Sequence, residues 1–287
     1  MTHSTISLGL GLGGGKAATS SGRPAGGGSF VNEKSVLFDG ADDMADSGSA
    51  FNSIWSGSFS ISFWYKSPSP LPTAGTYGTT LAFLGNDFVA SKGYIEFRYN
   101  STTADQGKMQ LFFSPSASNN SAVYYNLYGA SPSTFRLSAN TWYHLCWVAD
   151  RPGTGTTSST LYVNGNAETL SGISGYLSTI HNAGGTFDNN TLIAARNNAS
   201  SGSGSGELYL DGHLDEMAFF NSALSSSDVT SIYNSGAPND ITSLSPSHWW
   251  RFGDGTEAGS GTTVYDMAGS TNLTLTNGPT YSTDVPS

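Results

Sequence analysis

The sequence predicts an all-β antiparallel sandwich with one short helix and a flexible N-terminal arm. Three observations predict it. From Phe30 onward, short alternating or apolar runs are separated by Gly, Ser, Asn and Pro clusters, the pattern of many strands in a sandwich or barrel. Charged residues are 11% of the chain, well under the quarter usual for a soluble domain, which disfavours a helical bundle or a charged coiled coil. Aromatic residues are 12%, with six Trp, enough apolar area for a substantial core in a single domain of 287 residues.

Residues 1–29 form a Gly-rich arm, with Gly9-Leu10-Gly11-Leu12-Gly13-Gly14-Gly15 at its centre. Such a segment cannot bury enough surface to offset its ordering entropy alone, so it is either disordered or ordered against a partner. In the second case Ile6, Leu8, Leu10 and Leu12 supply the apolar contacts, and the intervening glycines let a neighbouring backbone come close or pair as an added strand. Residues 30–287 are then one sandwich domain. Its clearest strand is Phe59-Ser60-Ile61-Ser62-Phe63-Trp64-Tyr65-Lys66, with Phe59, Ile61, Phe63 and Tyr65 on one face and the serines and Trp64 on the other, the pattern of a half-buried strand. Further strands are predicted at 94–99, 109–113, 123–128, 142–149, 161–163, 192–195, 207–210 and 214–220. Asn164-Gly165 carries the pair that a type I′ hairpin turn requires.

The helix begins at Ser225-Ser226-Ser227-Asp228, a capping-box variant. Val229, Ile232 and Tyr233 follow at i, i+3, i+4 spacing, and Gly236 is the expected stop. His248-Trp249-Trp250-Arg251-Phe252 and Leu273-Thr274-Leu275-Thr276 read as strands that complete the same sheets.

Charge and cysteine content exclude several functions. Eleven basic against 21 acidic residues, net −10, with no Lys/Arg cluster, argue against nucleic acid and against an anionic lipid surface. No apolar run is long enough to cross a bilayer, so no membrane insertion is expected. The N-terminus lacks a basic region before its apolar residues and is a poor secretory signal. The single cysteine, Cys146, excludes an intrachain disulfide, and the apolar run around it marks a buried thiol.

Several segments together resemble the laminin-G-like branch of the concanavalin A-like lectin/glucanase superfamily. They are Val36-Leu37-Phe38-Asp39-Gly40-Ala41-Asp42-Asp43, the strand from Phe59 to Lys66, Thr141-Trp142-Tyr143-His144-Leu145 with Leu161-Tyr162-Val163-Asn164-Gly165, and Gly212-His213-Leu214-Asp215-Glu216-Met217 with the Asn221-Ser222-Ala223-Leu224-Ser225 that leads into the helix. The resemblance implies a jelly roll of two antiparallel sheets, six or seven strands each, one concave and often ligand-facing. The Gly-rich start and the Trp249-Trp250-Arg251-Phe252-Gly253-Asp254-Gly255 segment are similar to laminin-G-like proteins of bacteriophages, where such chains are virion surface components.

Retaining glucanases of the superfamily carry two carboxylates at alternate positions of one strand, Glu-x-Asp-x-Glu. No such run occurs here, so no catalytic residue is assigned and the chain reads as a non-enzyme. Gly202-Ser203-Gly204-Ser205-Gly206 matches the letters of a nucleophile elbow but lies in a Gly/Ser loop. Asp39, Asp42 and Asp43 crowd a turn after an apolar strand, and hard oxygen ligands in a loop suit Ca²⁺. The resemblance implies that Asp39 or Asp43 shares a structural calcium with Asp215, the competing reading being carboxylates that cap turns. Tyr124, Tyr125 and Tyr128, with Tyr94 and Arg98, offer stacking surface for sugar rings, against a simpler role in packing; of these Tyr94, Arg98, Tyr124 and Tyr128 are the expected glycan contacts. His144, in a strand apolar on both faces, reads as a satisfied core histidine.

The reading that results is a homo-oligomeric, non-enzymatic protein of the virion surface, a capsid decoration or fibre component. It attaches to other virion proteins by its arm and displays a sandwich that binds host or environmental glycans. The alternatives are a polysaccharide-degrading depolymerase and a carbohydrate-binding adhesin.

Overall fold

A computed structural model describes residues 30–51, 57–71, 79–85, 94–100, 108–114, 123–126, 135–150, 158–168, 173–174, 190–197, 206–255 and 259–287. The arm, with Ile6, Leu8, Leu10 and Leu12, lies outside the described residues, as does Tyr128. In chain order the strands are β1 (Ser35–Asp39), β2 (Met44–Asp46), β3 (Phe59–Lys66), β4 (Thr79–Gly85), β5 (Tyr94–Asn100), β6 (Lys108–Ser114) and β7 (Val123–Asn126). Then come β8 (Trp142–Asp150), β9 (Ser158–Val163), β10 (Asn166–Glu168), β11 (Ile173–Ser174), β12 (Leu192–Ile193), β13 (Arg196–Asn197), β14 (Gly206–Glu207) and β15 (Asp211–Phe220). Helix α1 (Ser226–Tyr233) precedes β16 (His248–Trp250), β17 (Thr263–Val264), β18 (Leu273–Thr276) and β19 (Thr280–Ser282).

The strand pairings among the described residues are antiparallel, and they make two large sheets and a small one of β13 and β14. One runs β10-β9-β8-β3-β15-β1-β19, with β16 also on β15; the other runs β11-β7-β6-β5-β4-β12-β2-β18-β17. The strands after α1 therefore complete both sheets. The core lies between the layers: Phe38, Ile61, Phe63, Trp147 and Phe219 of the first meet Ala45, Ile193, Leu273 and Leu275 of the second. This is the sandwich that the alternation predicts.

Strand β3 departs from its half-buried pattern, because every residue from Phe59 to Tyr65 is buried. The second face is covered by chain 160 residues downstream. Ser60 Oγ donates to Ser222 O (2.9 Å) and accepts from Leu224 N (3.0 Å), and Trp64 stacks on Tyr233 of α1 at 5.9 Å. Ser62 bonds His144 Nε2 at 2.8 Å, while His144 Nδ1 is buried without a partner among the described residues, so this histidine is only half satisfied. Burial lowers its pKa to about 3, which keeps it neutral, and pushes the Cys146 thiol up to about 12.

Local signals fix the connections. Ser225 caps α1 by accepting from Asp228 N, and the Asp228 carboxylate accepts from Ser225 N in return. The helix ends at Asn234, which adopts the left-handed conformation two residues before the expected Gly236. Asn164 (φ 49°) and Gly165 (φ 75°) make the β9–β10 turn with both central residues at positive φ. The run predicted as one strand at 192–195 breaks after Ile193, where Ala194 turns to φ 67°. The 207–210 run likewise keeps only Glu207 in β14, with Leu208 at φ 54°.

Candidate functional site

Three groups of chemistry-bearing residues result. The first is the turn from β1 to β2. Asp39 Oδ1 accepts from Ala41 N (2.8 Å), Asp43 Oδ2 accepts from Asp39 N (2.9 Å), and Asn277 Nδ2 holds Asp42 O (2.7 Å). Gly40 (φ 75°) permits the tight passage, since a Cβ there would stand 2.8 Å from Asp211 Cβ. The carboxylates of exposed Asp39, exposed Asp42 and buried Asp43 offer oxygens within 4.8 Å of one another. Oxygens on opposite sides of a calcium ion, each about 2.4 Å from it, are about 4.8 Å apart, so the three fit one such ion. Burial, with the charges of Asp39 and Asp42 added, outweighs the Asp39 N–H bond and raises the Asp43 pKa; burial and Asp39 raise that of Asp211. Turn capping and crowded charge coexist here.

Asp215 does not join this group. The β1–β15 register pairs Asp39 with Asp211 and Val36 with Leu214, which leaves Asp215 four positions along, about 13 Å away at strand rise. The expected set of Asp39, Asp43 and Asp215 is therefore corrected to Asp39, Asp42 and Asp43, with Asp211 across the sheet.

Asp215 belongs instead to a second, buried group. A bulge between Asp215 and Ala218 puts Glu216 at φ 47° and turns both acids inward, where a regular strand would send them to opposite faces. Glu216 accepts from Arg251 Nε (2.8 Å) and Trp249 Nε1 (2.6 Å), and the Arg251 guanidinium also donates to Val31 O. Asp254 Oδ2 accepts from Glu33 N (2.9 Å) and Lys34 N (3.2 Å). The network thus ties the Trp249-Trp250-Arg251 segment to the residues that open the sandwich. Burial raises the pKa of both Asp215 and Glu216, and Arg251 pulls Glu216 back. Asp215 Oδ1 accepts from Glu216 N (2.8 Å), and this bond together with one from Asn32 pulls the Asp215 pKa down against the larger effect of burial.

The third group is a sheet face. Pairing joins Leu192, Phe83, Glu96, Phe112, Tyr124 and Ser174 in one row across β12, β4, β5, β6, β7 and β11. Ile193, beside Leu192, belongs to the core, so the row occupies the opposite face. One step along the strands Arg98, Gln110 and Asn126 form a second row; on the other side Tyr94 pairs with Gly85 and Ser114. Tyr94, Arg98 and Tyr124 therefore hold register positions on one face of this sheet. Phe83, Phe112 and Lys108 share it and were not singled out in the sequence, although the period-two pattern Lys108-Met109-Gln110-Leu111-Phe112 carries the signal.

A two-sheet antiparallel sandwich of this strand order defines a lectin-like class of fold. A laminin-G family model, described as the concanavalin A-like lectin/glucanases superfamily, matches residues 39–230, and the chain belongs to that superfamily. Among solved structures it is similar to a Bacteroides ovatus protein provisionally described as carbohydrate binding, at TM-score 0.56 and 17% identity, covering 89% of this chain and 61% of that one. This chain thus spans about three fifths of that structure, and the likeness is one of fold. Weaker likenesses are to a SAP-like pentraxin of Limulus polyphemus (TM-score 0.40, 14% identity, 70% and 82% covered) and to the CBM40 of a Ruminococcus gnavus sialidase (TM-score 0.44, 12% identity, 69% and 96% covered). No curated protein matches the chain in sequence.

Proposed function

We propose that the chain is a non-enzymatic glycan-binding module of a virion surface, with the β4–β7 face as its binding platform. The observation that carries this is the register. It sets Tyr94, Phe112 and Tyr124, whose rings can stack on sugars, beside Arg98, Gln110 and Asn126, whose side chains can bond hydroxyls. Glu96 is the single carboxylate among these positions, and glycoside hydrolysis by the usual route needs two. Weak single-site affinity suits an array of copies, in which avidity supplies useful strength.

Two further parts of the reading concern support. Ca²⁺ bound by Asp39, Asp42 and Asp43 would neutralise their mutual repulsion and pin the β1–β2 turn to β18. The arm would dock the sandwich onto other virion proteins through Ile6, Leu8, Leu10 and Leu12, in a homo-oligomeric assembly. Glycan arrays probed with multivalent protein, with and without Ca²⁺, test the main claim: binding weakened by Tyr124→Ala supports it, and silence under both conditions rejects it. Full occupancy of particles by an arm-deleted protein rejects the docking role.

A further inference from the structure

We infer that the outer face of the β3–β8–β15 sheet carries a recognition site for an extended acidic peptide, which residues 283–287 of the chain itself fill. This site is on the other sheet from the β4–β7 platform and does not rest on the glycan reading. Register sets Trp142, Lys66, His213 and Leu37 in one row across β8, β3, β15 and β1. Tyr65 and Leu214, next to Lys66 and His213, belong to the core, so the row lies on the outer face. After β19 the chain turns at Ser282, whose Oγ accepts from Asp284 N (3.0 Å), and brings Asp284 onto this row. Each oxygen of its carboxylate takes one donor: Lys66 Nζ at Oδ2 (2.5 Å) and Trp142 Nε1 at Oδ1 (2.9 Å).

Two further donors read the backbone. Ser35 Oγ donates to Asp284 O (2.6 Å), and Asn32 Nδ2 donates to Pro286 O (3.5 Å). Ser35 has a single proton, so in its contact with His213 Nδ1 (3.2 Å) it is the acceptor, and the ring hydrogen is on Nδ1. An acidic side chain with carbonyls at its own position and two residues on is the pattern of an extended peptide. A sugar acid offers the carboxylate alone.

Exposure separates this carboxylate from a structural one. Glu216 also takes a cation and an indole N–H, yet its side chain is 5% exposed, whereas that of Asp284 is 39% exposed beside exposed Thr283. Residues 283–287 belong to no strand, so this strap can leave without breaking a sheet pairing. Its departure uncovers the buried Ser35 hydroxyl and the Lys66 ammonium, and an incoming peptide must supply the same acceptors. A tethered strap acts at an effective concentration of roughly millimolar, so it weakens binding of outside peptides without abolishing it.

The test follows a labelled Thr-Asp-Val-Pro-Ser peptide on the full chain by fluorescence anisotropy. Asp284→Asn loosens the strap and leaves the donors in place, so this variant should bind the peptide about tenfold or more tighter than the parent. Ser282→Ala, which removes only the bond to Asp284 N, should shift binding the same way by less. A peptide with asparagine in place of the acid should bind none of these proteins, and Lys66→Gln added to Asp284→Asn should lose the gain. Unlabelled peptide should compete at concentrations at which glucuronate does not. Failure of both single variants to gain affinity, or equal binding of the acidic and amide peptides, overturns the inference. Glucuronate competing as well as the peptide assigns the site to carboxylates at large and overturns the peptide claim.

Discussion

Two groups of acids in this molecule have opposite surroundings. Around Glu216, carboxylates are buried beside one guanidinium, an indole N–H and backbone donors, and each contact joins segments more than thirty residues apart. Around Asp39, three carboxylates crowd one turn with backbone donors but no cation among the described residues. Acid content alone does not mark a binding site. Acids whose partners are built into the chain hold the fold, and acids whose repulsion the chain leaves unrelieved have room for an added cation.

The largest effect is expected at Arg251. Arg251→Ala leaves Glu216 buried without its counter-charge and should cost about 3–5 kcal/mol in urea unfolding. Asp39→Asn or Asp42→Asn should cost far less. The same contrast has a pH signature. Raised folded pKa values at Asp215, Glu216, Asp43 and Asp211 contribute stability that is complete below the ordinary carboxylate range and is lost as pH rises through the raised values. Asp266 and Asp284 act oppositely. Against burial, hydrogen bonds from His248 and from Lys66 hold their pKa values low, so their contribution fades as pH falls through those values. Melting temperature should therefore fall between weakly acidic and alkaline pH. Asp215→Asn should flatten that fall, and a profile unchanged by the substitution would count against a raised Asp215.

Ca²⁺ at a hundredfold excess over its dissociation constant should stabilise the chain by about 2.7 kcal/mol, and Asp43→Asn should abolish the shift in melting temperature. Without Ca²⁺ the same variant should be no less stable than the parent, because a carboxylate held above its ordinary pKa has been replaced by a neutral group. The smallest effect is at the helix. Ser225→Ala removes a cap and should cost about 1 kcal/mol, read as a lower urea midpoint.

Much of the sandwich was legible in the chain because local rules fix it. Alternation gave β3 and β8, Asn164-Gly165 gave the β9–β10 turn, and Ser225 with Asp228 gave the start of α1. Long-range register was not legible. Nothing near Asp215 announces that Asp211 takes the place opposite Asp39, or that a bulge turns Asp215 and Glu216 toward Arg251. The burial of the second face of β3 is not legible for the same reason, since its cover arrives from Ser222 and Tyr233. The bonding roles of Asp254 and Asp266 carry no local signal, because each lies in a polar loop and its partners, Glu33 and Lys34 or His248 and Thr271, are set only by the folded chain.

The claim that β4–β7 form the recognition face is tested most directly by hydrogen–deuterium exchange of the whole chain with and without a bound polysaccharide. Ligand-dependent protection is expected in peptides spanning Tyr94–Asn100 and Lys108–Ser114, with little change in β3 and β15. Protection confined to the β1–β2 turn or to the α1-covered sheet, with none in β5 and β6, would contradict it.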